Sequence, residues 1–472
     1  MPRCLCLPRC SSRVIATLFV LALLLGATGG AAQKQALVGG RLIDGFGGRP
    51  IANSVILVDG DTIVAVGSVG ALLVPDGYRL ISTEGMDVLP GLWENHAHLM
   101  INGHADYPHW QRTYTDRFAA EIMPASAVQL LLAGITTARD LGAPLAASIA
   151  VKTRIAEGAI PGPRLFVSGP FLQHEVDDWQ QAYRWGVRGA DDARAKVRRL
   201  AEAGVDLIKL IDQDKLTLEE AQAIVDEAHR RGLKVVAHAH RPDEIRRGLA
   251  IGVDEFEHTG LTTAPEYPED IIRALRERTA TGRIAGGPLF WTPTVEGLWN
   301  YERTVDNPEK LDSDCWHRGL SDDIIADIRR SIRHPGQLAY AQLTPLRKPT
   351  LKRKIAQLRA SGVVFLIGTD SGIPLKFHCQ STWNELAVWV HEMDIPPMQA
   401  IRAATYWPAV MMGVAERWGT VSEGKLADII AVEGDVLRTI DLLQRVDLVM
   451  KGGVLFKQRG QPLESALRPA MR

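Results

Sequence analysis

The chain has 472 residues, 46% of them hydrophobic and 23% charged, enough for one large domain with a packed core and a smaller one beside it. Its 54 basic and 55 acidic side chains nearly cancel, which argues against a nucleic-acid binder, with its basic excess, and against a disordered charged chain. Aromatic residues are scarce at 6%, yet 11 are Trp, which points to ring-lined surfaces.

At the start, Arg3, Arg9 and Arg13 precede an apolar run from Val14 to Leu25, followed by small residues from Gly26 to Ala32. That order is the order of a secretory signal peptide. The apolar run of ~12 residues falls short of the about 20 needed to span a bilayer. Residues 1–32 are therefore expected to be removed, leaving a secreted or periplasmic protein that begins near Gln33 and has no membrane contact. Cys4, Cys6 and Cys10 leave with that segment. Cys315 and Cys379 remain, too few for a disulfide scaffold, and whether they pair in an oxidising compartment stays open. With no Cys-x-x-Cys in the mature chain, a metal would have to sit on His and carboxylate ligands.

From Ala36 to Leu89, Val/Ile/Leu runs are punctuated by Gly and Asp-Gly pairs, a hairpin-rich β pattern. The same texture returns in "GKLADIIAVEGDV" and "VDLVMKGGVLFKQ". Residues 33–88 and 415–472 are thus expected to build one small β-sandwich. Between them, over 89–414, strands alternate with helices. Strands are predicted at Val88–Leu92, Gly134–Arg139, Arg164–Ser168, Asp206–Ile211, Lys234–His238, Asp254–His258, Leu289–Thr294 and Val363–Thr369. The stretches "DDARAKVRRLAEAG", "TLEEAQAIVDEAHRRG" and "RPDEIRRGLAIG" carry apolar residues at helical spacing. Eight strands with intervening helices give the count of an α/β (β/α)8 TIM barrel. A doubly wound open sheet would need a Gly-rich phosphate loop after an early strand, and none is present. Residues 296–349 form the longest stretch between consecutive strands, and their length favours a lid over a plain connection.

Active sites of such barrels lie at the carboxyl ends of the strands. "GLWENHAHLM" places His96 and His98 two apart, so on an extended segment both imidazoles face one side. Lys209 stands inside the apolar run "VDLIKLI", where a lysine has no cheap explanation. "VVAHAH" supplies His238 and His240, "EFEHTG" His258, and "FLIGTDSG" Asp370. Singly, each histidine and Asp370 is as well read as a core or turn residue. Together they set imidazoles, a lysine and a carboxylate at one rim, a donor set suited to zinc or another first-row dication.

This arrangement resembles the amidohydrolase superfamily. "LPGLWENHAHL", "GITTARDLG", "VVAHAH", "EFEHTG", "GTDSG" and "AIRAATYWPAVMMGV" are similar to its imidazolonepropionase-like, Xaa-Pro dipeptidase (prolidase)-like branch. The resemblance implies two divalent metal ions, in the first place Zn2+, bridged by a carboxylated lysine (N6-carboxylysine) at Lys209. His96, His98, Lys209 and Asp370 would hold one metal, and Lys209, His238 and His258 the other. It implies hydrolysis of a peptide or amide bond, in a dipeptide or N-acyl amino acid, by a metal-bridging hydroxide, with Asp370 as the catalytic proton carrier.

His174, His240, Arg241 and His378 follow strands on the mouth side and are candidates to grip a substrate carboxylate. The strand-three loop "PFLQHEVDDW" lacks the glycine-rich stretch usual in the family. His104 and His109 are weaker candidates, while His229, His317, His334 and His391 read as surface or helix residues. The partner is thus a small peptide or amide, and a homo-oligomer is left open. Two other readings remain: a one-metal deaminase or cyclic amide hydrolase of the same superfamily, which Lys209 disfavours, and an inactive binding protein, which the complete ligand set disfavours.

Overall fold

Two sheets from the ends of the chain pack face to face. Thr62–Ser68, Ser54–Asp59, Lys34–Val38 and Arg79–Ser82 form one, and Arg41–Leu42, Met86–Pro90, Ile429–Glu433, Leu448–Lys451, Val454–Gln458 and Gln461–Pro462 the other. Alternation along these strands turns Leu37, Ile56, Ile81, Val88, Ile429 and Met450 into one shared core. The computed structural model describes residues 34–259, 262–280 and 287–468, and the expected signal peptide over 1–32 lies outside them. No helix among the described residues is long and apolar enough to cross a membrane.

The middle of the chain is a (β/α)8 barrel. Its strands are Leu92–Ala97, Ile135–Asp140, Arg164–Val167 continued by Phe171–Gln173, Leu207–Leu210, Lys234–His238, Glu255–Glu257, Phe290–Thr292 and Val364–Phe365. All pairings between them are parallel. Two arcs result, and backbone bonds join them. On one side the Asp206 amide donates to Val167 O at 2.9 Å, and on the other Asn95 N donates to Ile367 O at 3.1 Å. Beyond that point Ala97 bridges Ser371 in parallel. The ring is therefore closed by strand one lying against the segment after strand eight, where the candidate ligands stand.

Two expected boundaries shift. Val88–Leu92 is not the first barrel strand: Met86–Pro90 pairs antiparallel with Ile429–Glu433 in the terminal sheet, and the barrel begins at Leu92. The apolar run is continuous through this point, so its pattern cannot show where one sheet yields to the other. Strand three is longer than expected, broken at Gly169 and resumed to Gln173, with Arg184–Gly186 added outside it. The three quoted helical stretches form Ala190–Ala203, Leu218–Arg230 and Pro242–Ile251. Thr217 and Glu220 cap the second reciprocally, each side chain bonding the other's amide.

The excursion after strand seven is helical, over Glu296–Asp306, Asp322–Ser331 and Ala339–Ala360, and the last helix runs through Pro345 and Pro349 rather than starting after them. It is tied down as a wall of the barrel mouth. The Glu385 carboxylate accepts the amides of Val295 and Glu296, Asn300 donates to Leu375 O at 2.8 Å, and Trp316 stacks on Phe377. A Cys315–Cys379 disulfide joins it to the loop after strand eight.

Candidate metal centre

The rim residues converge because each follows its strand into the mouth. His96 ends up wholly buried, its Nδ1 2.7 Å from Glu257 Oε2 and its Nε2 3.4 Å from Asp370 Oδ1. His98 Nε2 lies 2.9 Å from the same carboxylate oxygen. His258 Nδ1 meets Thr294 Oγ1 at 2.8 Å, and its ring packs on those of His96, His238 and His240 at 4.8, 4.6 and 4.2 Å. Two overlapping sets follow, His96–His258–Asp370 and His238–His240–His258, each with ligand atoms within 4.8 Å of one another. His258 thus faces both sets, where the sequence pattern gave it one, and His240 stands at ligand distance instead of out on the loop.

The backbone is bent to achieve this. His258, Thr294 and Asp370 adopt φ of +74°, +53° and +62°, in the left-handed region that non-glycine residues seldom enter. The motif "GTDSG" needs its glycines for close approach. A Cβ on Gly368 would stand 2.9 Å from His96 N, and one on Gly372 2.5 Å from His98 O.

The electrostatics suit a cation. Burial, helped by the nearby Lys209 charge, holds the His96, His238 and His258 imidazoles well below their usual value, so each stays neutral with a lone pair to give. Burial pushes the Asp370 carboxyl up, but the hydrogen bond from His98 and the nearby Lys376 ammonium outweigh it and hold it well below the carboxylate range. Lys209 is fully buried, and burial brings its amine down to about 8 against the attraction of Glu257 and Asp370. Among the described residues its Nζ has no hydrogen-bond partner, nor have His96 Nε2, His98 Nδ1 and His240 Nδ1. Buried donors and acceptors are rarely left unpaired, and these four lie at one mouth among nitrogen and oxygen ligands without a thiolate. The donor set fits divalent cations.

Under the rim lies a layer of charge that sequence pattern did not single out. Arg139 binds Glu255 with both terminal nitrogens, at 2.5 and 2.7 Å, and reaches Glu257 at 3.0 Å, all three wholly buried. Glu257 in turn orients His96. Glu94 accepts the amides of His96 and Thr369 and the hydroxyl of Thr382, locking strand one to strand eight.

The substrate candidates fare differently. His240 lines the cavity over the rim. His174 does not: it borders a separate, larger outer cleft with Trp185 and Arg199. The Arg241 guanidinium is committed to Asp212, Asp214 and Glu244 at 2.9, 2.7 and 3.1 Å, which leaves it no free charge for a substrate. His378 is fully buried with both ring nitrogens engaged, by Ser371 Oγ and Ile101 O, and serves as a loop tie. His104 and His109, read as weak candidates, meet Asp327 of the excursion at 3.4 and 2.8 Å.

The Amidohydrolase family pattern matches residues 88–456. The chain belongs to this family. It is a hydrolase of carbon–nitrogen bonds in small molecules, in a family whose members generally need a metal. Ochratoxinase of Aspergillus niger is 27% identical over 91% of this chain and 88% of its own length. Its crystal structure superposes with a TM-score of 0.68 at 24% identity, over 90% of this chain and 96% of that one. A Xaa-Pro dipeptidase with bound methionine gives 0.68 at 23% identity, over 90% and 100%.

The Glu257–His96 contact generates a test. In Glu257→Gln the amide offers an N–H to Nδ1, moving the ring proton to Nε2, the atom that faces the site. Metal affinity measured by competition with a chelator should fall roughly 10–100-fold with the fold retained. Unchanged affinity would remove Glu257 from this role.

Proposed function

We propose that the chain is an exported binuclear metallohydrolase that cleaves the peptide or amide bond of a dipeptide or an N-acyl amino acid. The observation that carries this reading is the cluster of unpartnered buried nitrogens around Asp370. His96, His98, Lys209 and Asp370 would hold one zinc ion, and Lys209, His238 and His258 the second. His240 stands beside the second set and lines the cavity, where it would face a bound substrate group. The Xaa-Pro dipeptidase of this fold supports the choice of bond.

Bound dications would bring the proton affinity of a shared water near neutrality and polarise the scissile carbonyl. The chain's own residues do the rest. Asp370, kept ionised, takes the proton of the attacking water and delivers it to the leaving nitrogen, which departs with the electron pair of the broken C–N bond. Glu257 and Thr294 fix the rings of His96 and His258. Phe171, Ile211 and Met100 line the cavity of about 140 Å³ over the rim and limit water.

An ammonium at Lys209 would be repelled by each dication by about 8 kcal/mol at about 4 Å and an effective dielectric of about 20. The amine, lowered to about 8, is available to attack carbon dioxide. The N–C bond forms as one C=O π pair moves to oxygen and an N–H proton leaves to solvent, giving a carbamate whose two oxygens would each be able to hold a metal. Metal-free protein should therefore regain activity faster on adding zinc with bicarbonate than with zinc alone. Lys209→Ala should lose more than about a hundredfold in activity, beyond what an outer residue costs. Equal recovery with and without bicarbonate would contradict the carbamate.

Export rests on the Arg-flanked apolar run before Gln33, and the Cys315–Cys379 disulfide is in keeping with an oxidising compartment. Sequencing the amino terminus of protein from its native compartment should read from or near Gln33. Active, soluble protein that keeps Met1 would overturn this.

A further inference from the structure

The cavity over the rim has a second compartment of about 70 Å³, which shares His240, His258, Tyr340, Asp370 and Ile373 with the first. Its cations are Lys376 and Arg347, and they differ in one respect. Lys376 is spent: its Nζ lies 3.3 Å from Glu296 Oε1 and donates to Thr369 O. Arg347 is not. Its Nε is buried without a hydrogen-bond partner among the described residues, and its half-buried guanidinium stands near the Tyr301 and Tyr340 hydroxyls with no carboxylate paired to it there. A guanidinium is charged at any physiological pH, and desolvating one without a carboxylate is costly unless something else supplies the anion.

We propose that Arg347 is the anion-recognising residue of this site and takes the carboxylate on the leaving half of the substrate, with the Tyr301 and Tyr340 hydroxyls beside it. The proposal rests on the hydrolase reading above and adds an orientation to it. The compartment with Phe171, Met100 and Ile211 is the roomier one, about 140 Å³ against about 70 Å³, and receives the acyl half. The compartment with Arg347 lies across Asp370 and His258 and receives the amine half. The scissile carbonyl then lies over the rim between them. This also replaces the loop candidates: Arg241 has its three carboxylates and His174 faces another cleft.

One other arginine borders the cavity and serves as the comparison. Arg184 lines the larger compartment, and its Nε too lacks a partner among the described residues. Its guanidinium is nonetheless held, by a 3.0 Å bond to Gln173 Oε1 and by the faces of Phe171 and Tyr183, each 5.3 Å away. Among the described residues Arg347 has no such anchor.

The test uses the full mature chain, a panel of N-acetyl amino acids with zinc present, and the carboxamide of each. Binding of the free amino acids and their carboxamides to the metal-free chain is measured alongside by calorimetry. In the wild type the carboxylate should be preferred by roughly tenfold to a hundredfold, chiefly through KM. In Arg347→Gln that ratio should fall to within about threefold of unity in both measurements, while Arg347→Lys keeps part of it and Arg184→Gln keeps it whole. A ratio near unity in the wild type, a ratio that survives Arg347→Gln, or one lost in Arg184→Gln instead would each overturn the proposal. So would an Arg347→Gln chain that hydrolyses neither substrate and binds both amino-acid forms as the wild type does. Failure of the wild type on the whole panel is a different result: it removes the N-acyl amino acid reading, while the binding ratios still decide the role of Arg347.

Discussion

Lys209 sits at the carboxyl end of strand four with no exposed surface and no hydrogen-bond partner for its amine, and the arrangement of the mouth answers to that fact. A buried charge with nothing to bind costs several kcal/mol, so such a group either loses its proton or acquires partners. Here carboxylates face it from two sides, Glu257 and Asp370, while four imidazoles kept neutral by burial surround the same space. An apolar side chain would fill the position at lower cost. Holding a lysine there makes sense where its nitrogen is used in chemistry.

The rest of the barrel serves to keep that mouth rigid. Arg139, Glu255 and Glu257 form a buried charged layer directly beneath it, and removing one partner of such a layer strands the others, typically at about 3–5 kcal/mol. Glu94 ties strand one to strand eight at the seam where the ring closes, and the positive φ of His258, Thr294 and Asp370 is held in place by the same packing. The excursion adds a wall rather than a loose flap. Its disulfide to Cys379, and the bonds of Asp327 to His109 and Tyr114, fasten it to the loops that carry the ligands.

What could be read from the sequence follows from where each residue lies along its strand. His96, His98, Lys209, His238, His258 and Asp370 stand at or just past strand ends, so an alternating pattern and a strand count bring them to one rim. The barrel's start did not follow, because Val88–Leu92 is apolar on both sides of the change of sheet. Arg139, Glu255 and Glu257 hide in "TTARD" and "EFE", where alternate polar residues ordinarily signal a solvated face; inside a closed barrel that face is the core. Arg241 and His378 looked free because some of their partners are distant in sequence: Asp212 and Asp214 for one, Ile101 for the other. Arg347 carried no local signal at all. It stands on a helix after Pro345, and only the folded chain brings it into the compartment with Asp370.

The central claim is that Lys209 joins two metals. Equilibrium zinc titration of the full mature chain, with and without bicarbonate, combined with a metal-loaded crystal structure, tests it most directly. The account predicts two zinc ions per chain, the second binding tightly only with bicarbonate, and a carbamate on Lys209 with one oxygen toward each metal. A single zinc ion per chain beside an unmodified Lys209 in active protein would contradict it.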